Sequence, residues 1–528
     1  MSSVAAPREA ASGWNVSGAD RLLITFAVMS ATLLQVLDTT IVNVALPHMQ
    51  GSLGASSDQI SWVLTSYLVS SAICMPLTGY LSDVLGRKRF LVIGIAGFVT
   101  ASALCGLSQS LAEIVVFRLL QGIFGSALVP LSQAIMAEAY PPSERGRAMA
   151  LWGLGVMVGP VLGPTLGGWL TEVASWRWTF YINVPVGALS LLLAMQFVPD
   201  TPRRPRRMDW ASFTLLSAGI AGVQYFLDRG NQRDWLGAGD IRIALGLGLV
   251  GLVAFVWYSV KYPGRAVLDV RIFTDRNFAM ACVLILALGL GMFGALVIQP
   301  ILLERLLEYP IMTTGLIMAP RGIATAITMI VVGRLVARID ARLLIGTGIL
   351  VSAVATHAMT AYSLDVDKFW LIWPIFVQGI GLGLIFVPLS TTAYATLERS
   401  RLAEAAGIYS LVRTIGAAIG ISVATTVMTR QGQILWNALG GRVNVYNPAF
   451  HEFLKPLGLS PTDPLAAAVA AQEIARQAEM IAIIDVFALI TWSILAMAPL
   501  VLLMRSSRHG EGAYQAPSSQ PVSHVKSS

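Results

Sequence analysis

Apolar stretches of about 18 residues or more, the length of a bilayer-crossing helix, recur along the chain between short polar turns. Fourteen such spans are expected, near 22–46, 60–81, 90–108, 112–136, 148–170, 179–198, 210–228, 242–260, 278–303, 311–333, 343–362, 369–397, 404–429 and 481–504. At 1.5 Å of rise per residue each covers the ~30 Å of hydrocarbon in a bilayer. Only helices or closed barrels satisfy their backbone groups there, so the chain reads as an all-α integral membrane protein with 14 transmembrane helices. Composition agrees. Charged residues are 12%, about half the usual ~25%. Cys74, Cys105 and Cys282 fall inside apolar runs, which argues against disulfides and gives no metal-ligand spacing; no cofactor is expected.

A net charge of +7 would, by itself, suggest a polyanionic ligand. The placement of the charges changes that. An even number of spans puts both termini on one side, where the loops and tails hold 23 Lys and Arg against 9 on the other. Arg87-Lys88-Arg89 and Arg203-Arg204-Pro205-Arg206-Arg207 lead the bias. By the positive-inside rule both termini are cytoplasmic, and the charge reports topology and anionic lipid contact, not nucleic acid. The expected organisation is a cytoplasmic tail (1–21), a six-helix bundle (22–198), two extra central helices with linkers (199–277), a second six-helix bundle (278–504) and a disordered cytoplasmic tail (505–528). A loop echo supports the repeat: Gly79 to Arg89 closes span 2, and Gly333 to Arg342 closes span 10. The one long segment between spans, 430–480, lies on the outer side; it is either a partner-docking surface or a simple extension of spans 13 and 14.

Span 5 carries Gly155, Gly159, Gly163 and Gly167, four residues apart. On a helix this spacing leaves one face without side chains, drifting about 40° per step. Another helix can approach there to backbone distance. Pro160 and Pro164 remove two amide donors, so a bend is expected. The expectation is a hinge and seal in which span 5 rolls against a helix of the second bundle.

Ionisable groups inside spans are expensive and are functional candidates for that reason. Asp38 is either a group that binds and releases a proton or a structural carboxylate that pairs an arginine. Arg118, in span 4 with Gln121, is either the partner of such a carboxylate or an arginine snorkelling to the interface. Arg413 is too deep to snorkel easily and should face protein or a water-filled cavity. Arg321, Asp485 and His357 are further polar residues in or near spans. Nucleotide-binding glycine patterns, metal motifs and a sizeable cytoplasmic domain are missing from the sequence. That argues against an enzyme, and it means that transport would have to run on an ion gradient.

Taken in order, these stretches resemble the fourteen-span drug:proton antiporters of the major facilitator superfamily, specifically the EmrB-like branch. The resemblance is carried by Leu37-Asp38-Thr39-Thr40 through Pro47, by Gly79-Tyr80-Leu81-Ser82-Asp83 with Gly86 and Arg87, and by Arg118 with Gln121, Gly122 and Gly125. The span-5 glycines and prolines and Trp176 to Gly187 (with Asn183) follow, then Leu227 to Gly230 and Asp269 to Phe278. It implies a proton-driven exporter of amphipathic drugs working by alternating access, with Asp38 and Arg118 in proton coupling and Gln121 and Arg413 in a substrate cavity. It also implies a conformational latch at Gly79, Asp83, Gly86 and Arg87, in which the Asp83 carboxylate faces the start of span 13. Val84 departs from the pattern where a basic residue is usual, and Ala337 replaces the carboxylate in the second-half loop. Members of this branch sit in the bacterial inner membrane and work with a periplasmic membrane-fusion adaptor and an outer-membrane channel. Export of an endogenous lipid, siderophore or metabolite, and a non-transporting scaffold or sensor, are the alternatives.

Overall fold

A computed structural model of the protein describes residues 18–141, 144–204 and 207–504, and every regular element among them is helical. Thirteen of these helices are long and apolar enough to cross a bilayer, and a bent pair supplies a fourteenth. In chain order, spans 1 to 14 are Gly18–Leu53, Trp62–Cys74 with Leu77–Leu85, Arg87–Leu107, Leu111–Ala139, Arg145–Val173, Trp178–Phe197, Trp210–Arg229, Gly239–Lys261, Arg276–Leu306, Met312–Leu335, Ala341–Met359, Lys368–Ala393, Leu402–Gly440 and Pro464–Leu502. The fourteen expected spans are all present. Residues 18–21 already belong to span 1; the rest of the expected tails, 1–17 and 505–528, lie outside the described residues.

Side-chain caps mark where several helices begin. The carboxylates of Asp209, Asp275, Asp340, Asp367 and Asp463 accept the free amides of spans 7, 9, 11, 12 and 14, where an anion also meets the positive end of the helix dipole. Proline sets the sharp bend within span 2. Pro76 lacks an amide donor, and span 2 bends by 61° there. Met75, just before it, gives its carbonyl to the Thr78 hydroxyl at 2.7 Å. Pro76 was the available signal for this bend, which the hydropathy pattern passes over. Gly86 turns the chain from span 2 into span 3 at φ +83°, a conformation that favours glycine. Pro160 and Pro164, by contrast, lie inside one uninterrupted helix.

Spans 1 to 6 pack on one another, and so do spans 9 to 14; spans 7 and 8 pair and lean on span 2. Span 8 presents Ile243, Leu247, Val250 and Val253 outward, each at least 60% exposed. An apolar stripe of that kind is unfavourable in water and natural in lipid. The two halves meet chiefly through span 5, which packs on spans 10 and 12. At the end carrying Arg87, a Cβ on Gly146 would lie 2.8 Å from the Gly333 carbonyl oxygen. There too the Tyr394 hydroxyl donates to Gln133 Oε1 across the interface at 2.9 Å. At the opposite end a Cβ on Gly315 would lie 2.7 Å from Thr165 Oγ1. The halves thus touch at both ends of span 5.

The segment 430–480 is mostly a continuation of the helices around it. Span 13 runs through Gly440, a short helix spans Pro448–Leu454, and span 14 starts at Pro464. With 39 residues, span 13 is about 58 Å long, nearly twice the hydrocarbon thickness. The helix of span 14 begins well before the apolar run expected from 481, because its first turns are Ala, Gln and Glu, good helix formers of low hydropathy.

Candidate functional site

Five spans of the first half converge on one carboxylate. Asp38 and Arg118 are both fully buried. Arg118 Nη1 donates to Asp38 Oδ2 at 2.5 Å and to Gln121 Oε1 at 2.8 Å, and its Nε donates to the Val63 carbonyl at 3.0 Å. Gln121 Nε2 donates to Asp38 Oδ1 at 2.8 Å, and Asn183 Nδ2 donates to the same oxygen at 3.2 Å. Asn183 also donates to Ser102 Oγ at 3.0 Å, and that hydroxyl donates to the Phe180 carbonyl at 2.9 Å. The Arg118 guanidinium lies 4.2 Å from the Tyr67 ring centroid.

Local sequence explains the convergence. Arg118 and Gln121 are three apart on one helix, so both reach the same side. A carboxylate with a bonded guanidinium and two amides is the way a protein tolerates a charge away from water, because each partner's desolvation is offset by charge-assisted hydrogen bonds. Arg118 is therefore Asp38's partner and does not snorkel. Gln121, expected beside Arg413 in a substrate cavity, stands in this cluster instead. Tyr67 and Val63 gave no sign in the sequence. Asn183 did, as a lone amide in an apolar run.

Arg413 belongs to a different region. Its guanidinium lies 5.9 Å from the Trp152 ring of span 5, which stacks on Phe386 of span 12 at 5.8 Å. It thus faces the junction of the two halves. Asp485 is half-buried and His357 exposed, and neither joins the Asp38 cluster.

At the basic end, Gly79 meets the first turn of span 13, where a Cβ would lie 2.8 Å from Glu404 Cα. Glu404 Oε1 accepts the Asp269 amide at 2.7 Å, and Arg401 pairs with Asp269 at 2.6 Å. Asp269 comes from the loop before span 9, so three separate stretches are joined there. Arg87 pairs with Glu138 at the end of span 4, its amide donates to Thr201 Oγ1 at 2.8 Å, and Asp83 lies within its electrostatic reach. Span 13 meets span 2 again one turn earlier, where a Cβ on Gly407 would lie 3.1 Å from the Met75 carbonyl oxygen.

The span-5 groove has a different occupant from the one expected. A Cβ on Gly159 would lie 2.6 Å from Val36 Cγ1, one on Gly163 would overlap Thr40 Oγ1, and one on Gly167 would lie 2.8 Å from the Ile41 carbonyl oxygen. These residues belong to span 1, in the same half. Gly155 has ordinary contacts, 3.7 Å to the Met29 carbonyl oxygen. The Thr40 hydroxyl donates to the Gly159 carbonyl at 3.1 Å. Two helices that must pack without a hydrophobic drive gain from such backbone proximity. Contact with the second half falls to other faces of span 5, through Gly146 and Gly153.

A membrane-spanning bundle of two packed halves, with a buried ion pair in one of them, has the architecture of a transporter. Its fold is like those of the human organic anion transporter MFSD10 (TM-score 0.56, 16% identity, 90% of this chain and 99% of that one) and the proton:xylose symporter XylE (TM-score 0.59, 14% identity, 92% and 99%). The family profile described as Major Facilitator Superfamily matches residues 28–421. The chain belongs to that superfamily, within its EmrB-like multidrug-efflux branch. It is 35% identical to the multidrug export protein EmrB of Escherichia coli strain K12 over 89% of this chain and 93% of that protein. It is 34% identical to the fatty acid resistance protein FarB of Neisseria gonorrhoeae over 94% of this chain and 98% of that protein. These relatives and fold neighbours are transporters, not enzymes.

Proposed function

We propose that the protein exports amphipathic small molecules in exchange for protons, with Asp38 as the group that takes up and releases the proton. The observation that carries this reading is the closure of the Asp38 carboxylate by Arg118, Gln121 and Asn183. A proton arriving at Asp38 cancels its charge and leaves Arg118 without its counter-ion, which gives the buried pair two arrangements of different energy. Thr40, two residues along span 1, carries such a change to span 5 through its bond to the Gly159 carbonyl. Span 5 bears the contacts between the halves, so a shift there can open one end and close the other. One proton moving inward through a potential of 100 mV supplies about 2.3 kcal/mol, or roughly fiftyfold accumulation of substrate.

Names of the relatives support amphipathic cargo, since one is a multidrug exporter and another confers fatty acid resistance. By the charge bias, both termini face the cytoplasm of a bacterial inner membrane. The helical extensions of spans 13 and 14 would then stand outside the membrane, available to a periplasmic membrane-fusion adaptor leading to an outer-membrane channel. The decisive experiment is substrate-induced proton release from purified protein, wild type against Asp38→Asn. Wild type should release protons and Asp38→Asn should release none while keeping its melting temperature. Normal release from Asp38→Asn would sink the assignment.

A further inference from the structure

The second half contains a buried arginine with no carboxylate. Arg321, in span 10, is 4% exposed. Its Nη1 donates to Gln299 Oε1 of span 9 at 2.9 Å, and Gln299 Nε2 donates in turn to Gln378 Oε1 of span 12 at 3.2 Å. Among the described residues Arg321 makes no ion pair. The bond directions matter. Each amide oxygen is used by the donor before it, so the chain Arg321–Gln299–Gln378 consumes its own acceptors. Left over is a donor, Gln378 Nε2, which is buried with no partner, beside a guanidinium whose one side-chain bond is made through Nη1. Buried donors without acceptors are costly, and a cation without an anion more so.

At its Arg321 end this cluster borders a small cavity between the halves. Arg321 lines it together with Met157 and Pro160 of span 5 and Met292, Phe293 and Leu296 of span 9. The surface around the cation is thus apolar and rich in pliable methionine. We propose that Arg321, with Gln378, is the site that receives the anionic head of an amphipathic substrate, and that it selects exported molecules by the sign of their charge. A carboxylate fits that donor and the guanidinium and supplies the missing counter-charge, while the apolar part of the molecule lies along the Met157, Met292 and Phe293 wall once the halves separate. A cationic amphiphile meets an uncompensated positive charge and is turned away. The inference rests on the export reading only in taking an amphipathic small molecule as ligand.

The test is equilibrium binding to the purified full chain in lipid nanodiscs, without a proton gradient and with protein-free nanodiscs subtracted. Labelled dodecanoate, dodecanamide and dodecylammonium share one tail and differ in head charge. Wild type should hold dodecanoate about tenfold or more tightly than dodecanamide, the scale of a charge-assisted hydrogen bond, and dodecylammonium least. Arg321→Gln should abolish that preference and Arg321→Lys should keep most of it. Equal wild-type affinities for the three compounds would overturn the proposal. So would a folded Arg321→Gln protein that weakens dodecanoate and dodecanamide alike. If Arg321→Gln does not fold, Gln378→Leu decides: dodecanoate should weaken about threefold or more from the loss of one donor with dodecanamide unchanged, and unaltered dodecanoate binding would overturn the assignment. No gradient is used, so a sign preference in a protein that fails to release protons would fault the coupling reading and leave this one standing.

Discussion

Each half of the molecule buries an arginine in the middle of its helices, and the two are treated in opposite ways. Arg118 is matched within its own half by the Asp38 carboxylate, which Gln121 and Asn183 also bond. Arg321 is held by Gln299, which in turn bonds Gln378, and among the described residues it makes no ion pair. In the first half the counter-charge is built in, so the cluster changes only when something as small as a proton enters. In the second the counter-charge is missing, so the cluster is completed only by a ligand. On the two readings proposed above, the same residue type would be a switch in one place and a receptor in the other, and the difference lies in whether a carboxylate stands within reach.

The sharpest way to break that comparison is to remove each arginine in turn. Arg118→Met strands a buried carboxylate, which should lower unfolding stability by about 3–5 kcal/mol. Arg321→Met leaves the Gln299 oxygen without its donor, but it also removes an uncompensated charge. Its effect should stay within about 1–2 kcal/mol. Adding Asp38→Asn to Arg118→Met should recover part of the loss, since the stranded charge is gone and neighbouring mutations couple. Denaturation of the purified variants reads all three. Equal losses for the two arginine variants would mean that pairing does not distinguish the sites.

How much of this the sequence carries differs along the chain. The spans, Asp38, Arg118 and the span-5 glycines are legible because lipid enforces apolar length, makes any charge conspicuous and gives regular glycine spacing a visible period. The neighbours of Asp38 are not legible in the same way. Tyr67 sits under Arg118 because span 2 crosses span 4, and no spacing within either helix says so. Arg321 was visible as a charge in a span, but its lack of a carboxylate is a property of helices far apart in the chain. The partner of the glycine groove was misjudged for the same reason: a smooth face announces that a helix packs there without saying which one. Pro76 differs again, since its signal is local and a hydropathy window averages over it.

The contrast between a completed first half and an incomplete second extends to packing, with smaller effects. Span 5 is locked onto span 1 along a gradient of closeness. Gly163→Ala should destabilise by about 1–3 kcal/mol, the usual range for overpacking, because Thr40 Oγ1 occupies the space. Gly155→Ala should be neutral or stabilising by up to about 1 kcal/mol through better helix propensity, since its surroundings are 3.7 Å away. Thr40→Ala should rescue part of the Gly163→Ala loss. Gly146→Ala acts on the other face, against Gly333, and should slow transport more than it lowers the melting temperature. A flat response across Gly155, Gly159 and Gly163 would show that span 5 adjusts freely, and the lock between spans 1 and 5 would have to be abandoned.

The smallest effect is expected where a salt bridge has water around it. Arg305, at the end of span 9, and Glu479, midway along span 14, approach to 3.9 Å, with the Arg305 side chain 74% exposed. Water already solvates both charges there, so their pairing gains little, about 0–1 kcal/mol before screening by salt. Glu479→Gln should leave the melting temperature within error and binding of dodecanoate unchanged. Measured beside Arg118→Met, it sets a loose, partly exposed arginine–carboxylate pair against a close, fully buried one. A large loss from Glu479→Gln would mean that the groove between spans 9, 13 and 14 is drier than its exposure indicates. Charge in that groove would then have to be counted with Arg118 and Arg321.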